Sequence, residues 1–155
     1  MDESIEIRNT LKNQSVLFVD ASIKDEQGQY AIVKEKELYY LSEAYKAEPK
    51  QLTISVLEFL AIYKAEKIKE TNEHLKEYPV YSDSQEAVNA TLTIEGQQQL
   101  YKQVRALDIS EDRALNELYL KVTEGLAYFV WKEFNADVRY WDQRKYGVNP
   151  GHVRD

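Results

Sequence analysis

The sequence predicts an α/β fold: a five-stranded mixed sheet, three antiparallel strands followed by two parallel ones, with helices on both faces. Three observations predict it. Three strand-like runs come first, joined by short polar links that favour a hairpin and meander. From Thr53 the apolar spacing changes to threes and fours, the period of a helix. Two later strand-like runs are separated by helical stretches, and helical crossovers make such strands parallel to the first.

Val16-Leu17-Phe18-Val19 is an unbroken apolar run, the pattern of a strand buried on both faces. Asp25 to Gln29 is a turn cluster with a glycine near its end. Tyr30 to Val33 reads as the second strand and Leu38 to Tyr45 as the third, and Glu48-Pro49 ends that run. Leu57, Leu60, Ala61, Ala65 and Ile68 then share one helix face. Tyr78-Pro79-Val80-Tyr81 begins the fourth strand, followed by a short helix from about Ser84 to Asn89. Gln97 to Leu107 reads as helix. Ser110, with Glu111 and Asp112 in the first turn, starts a long helix to about Phe134. Ala136 to Trp141 is the fifth strand, and GVNPGHVRD is a closing loop. Residues 1–14 are a polar N-terminal arm with Ile5 and Ile7 as its anchor points. Residues 15–155 make a single domain, a length suited to one core.

Composition narrows the function classes. The chain has no cysteine, which excludes disulfides and thiolate metal sites, and its two histidines argue against a histidine-rich zinc site. No apolar run approaches the roughly 20 residues that span a membrane. The first residues lack the basic and apolar regions of a signal peptide. The expected compartment is the cytoplasm, with no membrane and no protein partner, and the expected state is a monomer. A net charge of −7 argues against holding nucleic acid by bulk electrostatics, because phosphate contacts come from Lys and Arg. Residues 139–155 are a local exception, with four basic side chains against two acidic. Trp141 in that segment reads first as core, with base stacking as its other use.

Four acids stand in unusual settings. Asp20 ends the first apolar run, where an unpaired buried charge would be costly. Its ordinary use would be to start a turn or cap one. Glu58 is the only charge in the stretch Ile54 to Ile62 and borders the buried helix face; its ordinary use would be a capping box with Ser55. Asp83 follows the fourth strand and could simply cap the next helix. Asp155 is the last residue given, and the ordinary reading is a solvated terminal acid. Taken together, the strand order puts two strand ends and one crossover helix at the same edge of the sheet. Carboxylates crowded there repel, and a hard cation with oxygen ligands is the natural remedy. Sites of such sheets lie beyond the carboxyl ends of the parallel strands.

With these residues in view the chain resembles ribonuclease H, the bacterial single-domain type, from Val16 to Asp155. Asp20-Ala21-Ser22 is similar to the family's Asp-Gly-Ser. Glu58-Phe59-Leu60-Ala61-Ile62 matches its acid followed by a small and aliphatic run. Ser82-Asp83-Ser84-Gln85 matches its Thr-Asp-Ser-Gln and is the most specific stretch. Tyr140-Trp141, Arg144-Lys145-Tyr146-Gly147 and Asp155 match the closing strand, basic loop and final aspartate.

The resemblance implies an RNase H-like fold and a metal-dependent endoribonuclease that hydrolyses the RNA strand of an RNA–DNA hybrid. It implies two magnesium ions, replaceable by manganese. Asp20, Glu58, Asp83 and Asp155 would be the catalytic and metal-binding carboxylates, and Ser22, Thr53, Gln85 and Lys145 would contact substrate. Ile54 and Ser55 stand where the family has two asparagines that read the minor groove, and Lys145 replaces a histidine of the final loop, with His152 nearby. Two other readings keep the fold: a nuclease acting on DNA, as resolvases and transposases do, and a binding module for nucleic acid or protein with no catalysis.

Overall fold

The computed structural model describes residues 16–25, 27–34, 37–42, 45–46, 54–105 and 137–146. Within them lie the strands β1 (Leu17–Lys24), β2 (Gln27–Lys34), β3 (Glu37–Leu41), β4 (Tyr45–Lys46), β5 (Val80–Ser82) and β6 (Val138–Tyr140). The helices are α1 (Ile54–Thr71), α2 (Gln85–Leu92), α3 (Ile94–Arg105) and α4 (Gln143–Tyr146). The fold is α/β. Strand order is β3-β2-β1-β5-β6, and β4 pairs with β2. β1, β2 and β3 are antiparallel neighbours, whereas β5 is parallel to β1 and β6 to β5. The polar arm and the expected helix from Ser110 to Phe134 lie outside the described residues.

Three local features differ from the sequence reading, each for a physical reason. The turn after β1 is shorter than Asp25 to Gln29, because Lys24 already pairs with Gln27. Only Asp25 and Glu26 lie between them. Asp25 adopts a φ of 52°, and aspartate tolerates that left-handed region where most residues do not. The expected third strand is divided. β3 stops at Leu41, and Tyr45–Lys46 pairs separately with Gln27 and Gly28. Ser42 marks the break. Its side-chain oxygen accepts the Tyr30 N–H at 2.9 Å, so a side chain takes over one rung of the ladder. Helix α1 is buried on more than one face. Val56, Phe59 and Ile62 are as fully buried as Leu57, Leu60 and Ala61, because α1 packs against β1, β2 and β5 and also against α2 and α3.

The sheet divides the core. Leu17, Val19, Ile32, Val80 and Val138 join α1, with Ala87, Val88 and Leu100, on one side. Val16, Phe18, Val33, Tyr81 and Trp141 form a second cluster. There Trp141 is 1% exposed and meets Phe18 edge-on at 5.4 Å. That is the core use of Trp141, and it leaves no face open for a base.

Thr93 joins α2 to α3. Its N–H closes α2 on the Asn89 carbonyl, and its hydroxyl oxygen accepts the Gly96 N–H at 2.9 Å to open α3. A Cβ on Gly96 would overlap the Asn89 backbone. Gly96→Ala therefore sets a helix-propensity gain of up to about 1 kcal/mol against an overlap cost of about 1–3 kcal/mol. The overlap wins because its partner is backbone. A lower urea midpoint is the expected result, and an unchanged one would mean that α2 and α3 part freely at this joint.

Candidate metal centre

The site follows from the register. Val19 pairs with Ser82 as the last parallel rung between β1 and β5. Asp20 is the next residue on β1, and Asp83 is the first residue after β5. β1 itself does not end at Asp20. It runs on to Lys24 along β2, with Asp20 opposite Ala31, so Asp20 is held by strand pairing rather than by a turn. Asp83 begins the turn into α2, and the N-cap of that helix is Ser84, whose side chain accepts the Ala87 N–H. Asp83 is thereby left out of the cap. Glu58 comes from the second turn of α1. Ser55 lies within α1 rather than at its N-cap, and the Glu58 oxygens accept the Ala21 N–H and the Ser82 hydroxyl, so no capping box occupies Glu58.

Oxygens of Asp20, Glu58 and Asp83 lie within 4.8 Å of one another. Asp20 and Glu58 are 8% and 3% exposed, and Asp83 is half-buried. The Ala21 N–H is shared by two carboxylates, Asp20 Oδ1 at 2.9 Å and Glu58 Oε1 at 3.1 Å. Glu58 Oε2 accepts the Ser82 hydroxyl at 3.3 Å. Glu58 thus ties the middle of β1 to the end of β5. Burial pushes its carboxyl up to about 10, the charges of Asp20 and Asp83 push the same way, and the Ala21 N–H offsets part of this.

The donor set suits a hard divalent cation, since all three groups offer carboxylate oxygen. Ligands on opposite sides of magnesium stand about 4 Å apart, so oxygens within 4.8 Å need only draw in slightly. Three of the four predicted carboxylates are therefore brought together. Asp155 and Thr53 lie outside the described residues. Ser22 is exposed on β1, two residues beyond Asp20 and opposite Gln29. Gln85 is exposed at the start of α2, where its amide donates to Asn89. Lys145 is exposed on α4 and makes no ion pair among the described residues.

The Ala21 N–H and the Ser82 hydroxyl are central to the arrangement, yet neither is among the groups that the sequence marks as candidates. A backbone donor leaves no trace in a sequence, but the two serines flanking Asp83 were a usable signal.

Fold and cluster define a class, an α/β protein with a carboxylate site just beyond the last parallel rung of its sheet. Compared with protein-family models and with curated proteins, the chain matches none. Among the described residues, no helix is long and apolar enough to cross a membrane.

Proposed function

We propose that this protein is a metal-dependent endonuclease that hydrolyses the RNA strand of RNA–DNA hybrids, with a ribonuclease H-like fold. The observation that carries the reading is the convergence of Asp20, Glu58 and Asp83 beyond the last parallel rung of β1 and β5. The resemblance of Ser82-Asp83-Ser84-Gln85 to the family's motif supports the same reading. Magnesium held there would supply Lewis acidity and a more acidic water for phosphodiester hydrolysis. The chain's own part is to present crowded carboxylates on two adjacent strands and one helix, so that their spacing is set before binding. Asp155 would complete the set.

Substrate contacts follow from exposure. Arg144 and Lys145 are exposed on α4 and suit backbone phosphates. Arg139 is engaged elsewhere, in a paired contact with Asp137 at 3.0 and 3.2 Å. Its proton is held more tightly than usual, first by that contact and then by the Tyr81 hydroxyl. Ile54 is 44% exposed one turn before Glu58. An apolar side chain offers a groove no hydrogen bond, so binding should depend mainly on phosphate contacts and weaken with salt.

The deciding experiment compares cleavage of an RNA–DNA hybrid, double-stranded RNA and branched DNA, each with magnesium and with manganese. Hybrid cleavage is expected, falling steeply between 50 and 200 mM salt as phosphate-dominated binding does. Ile54→Asn is expected to sharpen the preference for hybrid over double-stranded RNA. Cutting of branched DNA alone would move the protein to the DNA-directed reading. Binding of all three without cutting by any would mark it as a binding module.

A further inference from the structure

Ser82 ends β5 and is completely buried, at 0% exposure. Its hydroxyl has two partners. It donates to Glu58 Oε2 at 3.3 Å and accepts the Ser84 N–H at 3.1 Å. A hydroxyl has one proton and two lone pairs, so the two roles do not compete. Asp83 is the residue enclosed between Ser82 and Ser84. Ser84 is fixed in turn, because its side chain caps α2. The hydroxyl therefore links the α1 carboxylate to the turn that carries the β5 carboxylate, two groups 24 residues apart at Glu58 and Ser82.

We infer that Ser82 is a positioning residue, whose hydroxyl sets the spacing of Glu58 and Asp83 and through it the affinity of the site for a hard divalent cation. The inference rests on the metal-centre reading above. Burial alone would ask only for a small side chain with satisfied polar atoms. The two partners ask for more, because both belong to the segments whose relative position decides the distance between ligand oxygens. Without the hydroxyl, a buried carboxylate oxygen loses a donor and the Ser84 N–H loses an acceptor. Glu58 is then free to turn away from the Asp83 side while Ala21 still holds its other oxygen. Groups that orient a metal ligand typically change affinity by about 10–100-fold when removed.

The test is manganese binding to the intact chain, measured by titration calorimetry and by the electron paramagnetic resonance of free ion. Neither needs substrate. Ser82→Ala is expected to bind manganese at least about tenfold more weakly than the unsubstituted protein. Ser82→Thr and Ser82→Val differ by little except the hydroxyl, so they carry the test even where the alanine variant folds poorly. The threonine variant should stay within about threefold of the parent, and the valine variant should be at least about tenfold weaker than threonine. A merely structural role would shift the metal-free melting temperature of both alike and leave their affinities equal. Equal affinity in the threonine and valine variants overturns the inference alone. No manganese binding by the unsubstituted protein overturns the metal-centre reading, and the inference falls with it.

Discussion

Asp83→Asn is expected to lower hybrid cleavage by on the order of a hundred- to a thousandfold, the usual scale for losing a group that stabilises transition-state charge. The fold should remain. Asparagine keeps the shape and one carbonyl oxygen but loses the negative charge a hard cation requires. Helix α2 should not suffer, because Ser84 rather than Asp83 accepts the Ala87 N–H. In the absence of metal the variant should be the more stable protein. Asp83 lies within 4.8 Å of the Asp20 carboxylate, and removing one of two neighbouring like charges relieves their repulsion. Asp83 is only half-buried, so solvent weakens the effect. A rise of roughly 2–4 °C corresponds to about 1 kcal/mol in a chain of this size. Cleavage with magnesium and melting in EDTA are the two measurements. Activity within tenfold of the parent would remove Asp83 from the site. A lower melting temperature would make it a support of the turn instead.

The parts of this fold that repeat were readable. Val16 to Val19 announces a buried strand because no residue in it faces water, and α1 announces itself because leucine and alanine recur at helical spacing. Parallel pairing of β1 and β5 followed from the helix between them. Where side chains replace backbone partners, the sequence was silent. Ser42 divides the third strand with one hydroxyl, and Asp25 closes a hairpin through a left-handed φ that aspartate tolerates but does not require. The site was legible as a set of misplaced charges: Asp20, Glu58 and Asp83 each had an ordinary local use, and only the strand order made them one group. The structure then disposes of two of those uses, since Ser84 caps α2 and the Glu58 oxygens are taken by Ala21 and Ser82. The bond network that fixes their spacing was not legible, because it runs through an amide N–H and a serine hydroxyl. Asp155 and Thr53 still rest on the resemblance.

Glu58→Gln is expected to lower cleavage on the same scale, and it should also remove a pH dependence from the metal-free fold. Glu58 is 3% exposed, and its carboxyl is pushed up from 4.5 to about 10, first by burial and then by Asp20 and Asp83. Below pH 4.5 the folded and unfolded chains both carry this proton, and its contribution to stability is fully present. Above that value the unfolded chain releases the proton while the folded chain keeps it. The native state then holds more protons than the unfolded one, so stability falls with rising pH. The loss continues to about pH 10, where the folded protein also lets go. Glutamine has no proton to exchange. In EDTA, the parent should lose melting temperature steadily between pH 5 and 9 relative to Glu58→Gln, so that the gap widens as pH rises. Metal binding supplies the complementary measurement. A carboxylate that enters a coordination shell must first be deprotonated, so binding to the parent at pH 7 should release about one proton. Titration calorimetry in buffers of different ionisation enthalpy counts that proton, and Glu58→Gln should not release it. A gap in melting temperature that stays constant from pH 5 to 9 would mean that Glu58 is already ionised in the fold, held by the Ala21 N–H and the Ser82 hydroxyl alone.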